Sequence, residues 1–274
     1  MYCAGIDYLS YTATGAAARI EYAAACDWMS RLAESDDLRQ RTRYGYAGHM
    51  YGGAFAGLRG DDEAWVSIAG HRAHAYAQDR MPVIDRGARA RRVDIQITWP
   101  VAGSVEGVDD LIRSVARALA ESDRRRAMRV IDTYGRGTTL YYGSESARVR
   151  VVLYNKGAES GYESFAGWLR VEARYYREMA VRAFEAVRRG DPPLAVLRGT
   201  VIRYPAIWAA AGDVLAAYAD LPLDRLQPET GGPDRQVVRT LAWLERQVAP
   251  AIRRLREHVD EGMIWGALHA APTG

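Results

Sequence analysis

Residues 148–155, RVRVVLYN, alternate: Arg148, Arg150, Val152 and Tyr154 fall on one face of an extended chain, and Val149, Val151 and Leu153 fall on the other. Such a segment is a strand with an apolar face for a core and an opposite face bearing cations and a phenol. Two further segments repeat the design. In residues 91–100, Arg92, Asp94, Gln96 and Thr98 oppose Val93, Ile95, Ile97 and Trp99; in residues 168–175, Trp168, Arg170, Glu172 and Arg174 oppose Leu169, Val171 and Ala173. Laid side by side, the three strands would gather Tyr154, two carboxylates and several arginines on one polar face.

That grouping has a chemistry. A tyrosine hydroxyl on a rigid strand, with arginines on its face and an ammonium two residues on, suits nucleophilic attack on a phosphodiester, because the cations hold the phosphate and favour phenolate. The chain carries 37 basic residues, of which Lys156 is the only lysine. A lone lysine there suggests a position that needs a compact charge instead of a planar fork. Tyr154, Lys156, Arg150 and Arg170 are therefore the expected catalytic residues. Asp94, Glu172 and Glu159 offer hard oxygen ligands for Mg²⁺ or Mn²⁺, which could act on the phosphate as a Lewis acid. Equally, Asp94 and Glu172 could each pair with a nearby arginine in a structural salt bridge. Asp7, on an early strand, is a more remote candidate, and the pairs Tyr141–Tyr142 and Tyr175–Tyr176 read as buried aromatics or second nucleophiles.

The order strand, helix, strands occurs twice. Residues 4–14 alternate, with Ile6, Tyr8, Ser10 and Thr12 opposed to Asp7, Leu9 and Tyr11; a helical stretch reaches about residue 35, residues 44–57 and 64–69 read as strands, and 71–79 as a short helix. The second round has the strand 91–100, a helix over 106–122 with Val108, Leu111, Ile112, Val115 and Leu119 as its buried stripe, and strands near 129–134, 140–143, 148–155 and 168–175. The expected fold is α+β: two related antiparallel-sheet halves with helices on one face, followed by a helical C-terminal region. In domain terms, 1–176 forms a catalytic unit with halves 1–80 and 91–176, and 177–274 is helical, with segments at 175–189, 193–202, 205–219 and 233–260.

Net charge is only +3, but arginines cluster at 39–43, 86–92, 124–129 and 246–256, alongside 17 tyrosines and 7 tryptophans. Together they fit a phosphate-tracking surface with stacking platforms, in which Arg148, Arg92, Arg174, Arg246 and Arg253 are the expected DNA contacts. No run approaches the roughly 20 apolar residues of a membrane span, and the N-terminus lacks the basic start of a secretory signal, so a cytoplasmic protein is expected. Cys3 and Cys26 are too few and too far apart for a disulfide framework or zinc site. The sequence has no GxxxxGK[ST], GxSxG or CxxC. His49, His71, His74, His258 and His269 include no pair of histidines one residue apart, the arrangement by which HUH endonucleases hold their metal.

The stretch TTLYYGSESARVRVVLYNKGAE, preceded by RRVDIQI and followed by WLRVEARY, resembles the replication initiation factor (Rep-trans) family of rolling-circle plasmid and filamentous phage initiators; TLAWLERQVAPAI in the tail is similar to the phage members. The resemblance implies that Tyr154 is the nucleophile and that acidic residues hold a divalent metal, with Asp94 and Glu172 matching the R-x-D and R-V-E steps. Where relatives often carry a further acid after R-x-D, this chain has Gln96 and Thr98. Where arginine commonly follows G-S, it has Glu145, and Arg150 lies four residues before the tyrosine, away from its usual place. The implied function is initiation of rolling-circle replication: sequence-specific nicking and rejoining of DNA through a 5′-phosphotyrosine. The implied partners are a replication origin as single-stranded or cruciform DNA, a host helicase and single-strand-binding protein, and a second subunit in a homodimer. The alternatives are a conjugative relaxase and a catalytically inactive DNA-binding regulator on the same fold.

Overall fold

The alternating segments form strands that bury one face each. The computed structural model describes residues 3–33, 38–123, 126–133 and 137–216. The first half contributes β1 (Cys3–Thr14), α1 (Ala16–Leu32), β2 (Arg39–Arg43), β3 (Tyr46–Tyr51), β4 (Ala54–Arg59), β5 (Glu63–Ala69) and α2 (His71–Arg80). The second contributes β6 (Arg89–Pro100), α3 (Val105–Ser122), β7 (Met128–Thr133), β8 (Gly137–Tyr142), β9 (Val149–Asn155), the short α4 (Lys156–Ser160) and β10 (Trp168–Tyr176), after which α5 (Glu178–Arg188), α6 (Pro193–Val201) and α7 (Pro205–Ala216) follow. The helix expected at 233–260, with Arg246 and Arg253, lies outside the described residues.

All ten strands join one antiparallel sheet in the order β2-β3-β4-β5-β1-β6-β10-β9-β8-β7. Each half therefore runs first, fifth, fourth, third, second strand from the centre outward, and the two first strands pair at the join. The halves also turn alike: the residue between fifth strand and next helix has positive φ in both, 68° at Gly70 and 55° at Arg177. Sheet residues such as Leu9, Ile95, Leu153 and Val171 share one buried core with Val108, Ile112, Val115 and Leu119 of α3. Ser104 fixes where α3 begins, its hydroxyl accepting from Gly107 N at 3.2 Å.

Two strand expectations change. Residues 44–57 are not one strand, because Tyr44–Gly45 and Gly52–Gly53 are two-residue loops whose residues all have positive φ, from 48° to 88°. They join β2 to β3 and β3 to β4 as hairpins. Strict alternation also fails in β1. Ile6 pairs with Ile95 and Tyr8 with Asp94, so Asp7 is the extra residue of a β-bulge. Ile6 joins the core, and Asp7 turns to the polar face, the reverse of the alternating pattern.

Candidate active site

The site lies on the sheet face opposite the core, where β9, β10, β6 and β1 run side by side. Register places Arg170 directly between Tyr154 and Thr98. Its guanidinium is locked accordingly: Nη1 donates to Tyr154 Oη at 3.1 Å and to Asp7 Oδ1 at 3.2 Å, and Nε donates to Thr98 Oγ1 at 2.7 Å. Thr98 in turn donates to Gln96 Oε1 at 2.7 Å. Thr98 thus holds the arginine, and Gln96 holds Thr98.

One turn beyond the tyrosine, α4 brings Lys156 Nζ to 2.5 Å from Glu159 Oε2. The charges of Glu172, Lys156 and Glu159 all act on Asp7, and those of Glu172, Asp7 and Glu159 act on Tyr154. Five of the expected residues, Tyr154, Arg170, Lys156, Glu159 and Glu172, therefore share one small region with the more remote candidate Asp7. Burial raises the Asp7 carboxyl above its ordinary value, and Arg170 only partly offsets this. The same competition corrects the expectation of an easily formed phenolate. Burial raises the Tyr154 phenol well above an ordinary tyrosine, Arg170 pulls it down, and the three neighbouring carboxylates push it up.

Asp94 stands apart from the phenol. Both its oxygens accept from Arg92 Nε, at 2.8 and 3.0 Å, Arg92 Nη2 adds a further contact, and Arg174 Nε lies 3.9 Å away. Its side chain is 2% exposed and that of Arg92 31%, so the carboxylate sits beneath its cation. Burial, aided by the Glu172 charge, holds the Asp94 carboxyl above the usual carboxylate range. Glu172 accepts from Arg174 Nε at 2.7 Å and is likewise buried. The salt-bridge alternative is therefore the arrangement adopted by Asp94 and Glu172.

Other expected residues are redistributed. Arg150 lies opposite Arg174 and over the Tyr141 ring, not at the tyrosine hydroxyl. Arg148 Nε is engaged by Glu178 Oε1 of α5 at 2.6 Å. Arg92 stacks over Tyr8 and Tyr176. Tyr142 and Tyr175 are core residues, bonded to Asp123 and Thr200 respectively, whereas Tyr141 and Tyr176 belong to the polar face. Among the described residues no three His, Cys, Asp or Glu side chains converge into a ready-made metal cage, and no helix is long and apolar enough to cross a membrane.

With this geometry in view, one solved structure is informative. A rolling-circle replication initiator protein from Geobacillus stearothermophilus aligns with 83% of this chain and 100% of its own, at a TM-score of 0.57 and 14% identity. The two share a fold. At that identity the likeness extends to architecture alone. A scan against protein-family models and a search of curated protein sequences find no match.

Asn155 explains how the sheet aims the tyrosine. It is fully buried, its Nδ2 donates to Val105 O at 2.7 Å and to Asp109 Oδ1 at 2.8 Å, and its Oδ1 caps α4 by accepting from Ala158 N at 3.1 Å. One side chain thus ties the end of β9 to α3 and sets where Lys156 begins its helix. Asn155→Ala removes a cap and the ties to Val105 and Asp109, although Asp109 Oδ1 keeps the Thr138 N–H at 2.9 Å, so a loss of about 1 to 2 kcal/mol in urea unfolding is expected.

Proposed function

We propose that this protein cleaves and rejoins a DNA strand by tyrosyl transesterification, as an initiator of rolling-circle replication does. The observation that carries the reading is the Tyr154 hydroxyl, held by Arg170 on a rigid strand pair and within the influence of the Asp7, Glu172 and Glu159 carboxylates, with Lys156 paired to Glu159. The shared fold with a replication initiator supports it. In this reaction Tyr154 Oη attacks phosphorus as its proton passes to water, the bond from phosphorus to the 3′ oxygen breaks, and that oxygen takes a proton from water to leave as a 3′-hydroxyl. The 5′-phosphotyrosine conserves the phosphodiester bond energy, so reversal rejoins ends without a nucleotide cofactor. Arg170 and Lys156 are placed to stabilise charge developing on the phosphate.

A divalent ion, Mg²⁺ or Mn²⁺, suits this donor set in kind. Asp7, Glu172 and Glu159 are hard oxygen donors around one phenol, and their mutual repulsion helps raise Asp7. They are the residues that would hold the ion, each first leaving the cation it is paired with, Arg170, Arg174 and Lys156 respectively, whereas Asp94 has both oxygens on Arg92 and lies buried beneath it. Such an ion supplies positive charge to the phosphate oxygens. In this role the partner is origin DNA, single-stranded or cruciform, and a host helicase and single-strand-binding protein act downstream.

The test is cleavage of single-stranded oligonucleotides tiled from DNA flanking the gene, run on denaturing gels with Mn²⁺ or with EDTA. A covalent protein–DNA adduct formed with Mn²⁺ and lost in EDTA is the expected result. Tight binding with no cleavage under either condition would overturn the enzyme in favour of a regulator.

A further inference from the structure

We infer that Arg150 and Arg174, with Tyr141 against them, form a seat for a second phosphodiester of the bound strand, separate from the one attacked by Tyr154. This rests on the nicking reading and adds a substrate contact that the reaction at Tyr154 does not need. The two arginines are directly opposite each other on β9 and β10. Like charges in that relation are destabilising unless something compensates them. Arg174 has a partner in Glu172, at 2.7 Å. Among the described residues Arg150 makes no ion pair, and its Nε is buried without a hydrogen-bond partner.

What Arg150 does have is an aromatic face. Its guanidinium carbon lies 4.3 Å from the Tyr141 ring centroid, and that of Arg174 lies 5.9 Å from the same ring. Arg92 and Arg174 share two carboxylates, Asp94 and Glu172, so among the described residues the charge of Arg150 is left uncompensated on the face that carries the reactive phenol. An anion with several acceptor oxygens answers that spare charge. The row containing Arg150 is four residues along β9 from Tyr154, about 14 Å at strand rise. One phosphate cannot span that distance, so the seat belongs to another nucleotide of the strand, which follows β9 and β10.

The salt dependence of binding reads this directly. For single strands, each phosphate neutralised contributes about 0.7 to the slope of log affinity against log salt. Fluorescein-labelled dT20 is titrated by anisotropy at several KCl concentrations, using the full chain. Arg150→Ala is expected to bind more weakly and to flatten the slope by about 0.7, Arg150→Lys to keep the wild-type slope, and Arg19→Ala, on the helical side, to change nothing. A merely structural role for Arg150 would not separate alanine from lysine in this way. Wild-type binding with an unchanged Arg150→Ala slope overturns the seat and leaves the nicking reading intact. Wild-type protein with no salt-dependent binding of dT20 overturns both.

Discussion

Tyr154→Phe is expected to abolish the covalent protein–DNA adduct and to lower strand cleavage by at least about 10⁴-fold, as removal of an attacking atom does elsewhere. The substitution deletes one oxygen and little else. Arg170 keeps Thr98 at 2.7 Å and Asp7 at 3.2 Å, so its guanidinium stays in place, and the expected change in stability is about 1 kcal/mol. Far-UV circular dichroism should therefore match wild type and urea unfolding should differ by no more than about 1 kcal/mol, while the gel shows no adduct. An adduct that persists in the phenylalanine variant would move the nucleophile to Tyr141 or Tyr176, the other tyrosines of the pair motifs that lie on this face. Tyr142 and Tyr175 are excluded by burial in the core.

Arg170→Ala should produce the next largest loss, roughly 10²- to 10³-fold in single-turnover cleavage, the scale for removing a preorganised donor to a developing oxyanion. It also strands Asp7 and Thr98; because Asp7 is about a quarter exposed, the stability cost is about 2 kcal/mol, below that of a fully buried pair. The pH profile gives a second readout. Burial raises the Tyr154 phenol above its ordinary value near 10, and Arg170 is the largest influence lowering it. Loss of Arg170 raises the phenol further. Both proteins then hold a neutral phenol throughout pH 6 to 9, both rates rise with pH, and the deficit stays constant across that range. A deficit that changes with pH would show that the wild-type phenol ionises within it.

The sheet and most of the active-site face were legible in the sequence because period-two patterning is a strong signal where one face is buried. Residues 92–99, 149–154 and 168–174 divide in the structure as they divide on paper, and the repeated order of elements became two halves of identical strand order. The site was less legible for two reasons. Alternation assigns a face but not a row: Arg150 and Tyr154 share a face, yet register puts Arg174 opposite one and Arg170 opposite the other. Patterning also cannot see a bulge directly. Ile6 and Leu9, both buried and three residues apart in a period-two segment, are the trace of the extra residue that turns Asp7 toward Arg170. Asp94 illustrates a third limit, since a carboxylate in a promising motif is silent about whether an arginine already occupies it.

The bulge in β1 bears on the order in which the molecule assembles. Arg170 and Tyr154 are separated by 16 residues and meet across a hairpin, whereas Arg170 and Asp7 are separated by 163. Closing the short loop is fast and needs only β9 and β10; delivering Asp7 requires β1 to pair with β6 across the join between halves. The carboxylate synthesised first thus reaches its guanidinium only by the longest loop closure at the site. A chain in which β1 has not yet paired with β6 would hold the phenol beside Arg170, Glu172 and Glu159 but lack Asp7, so this one contact reports on the join between the halves.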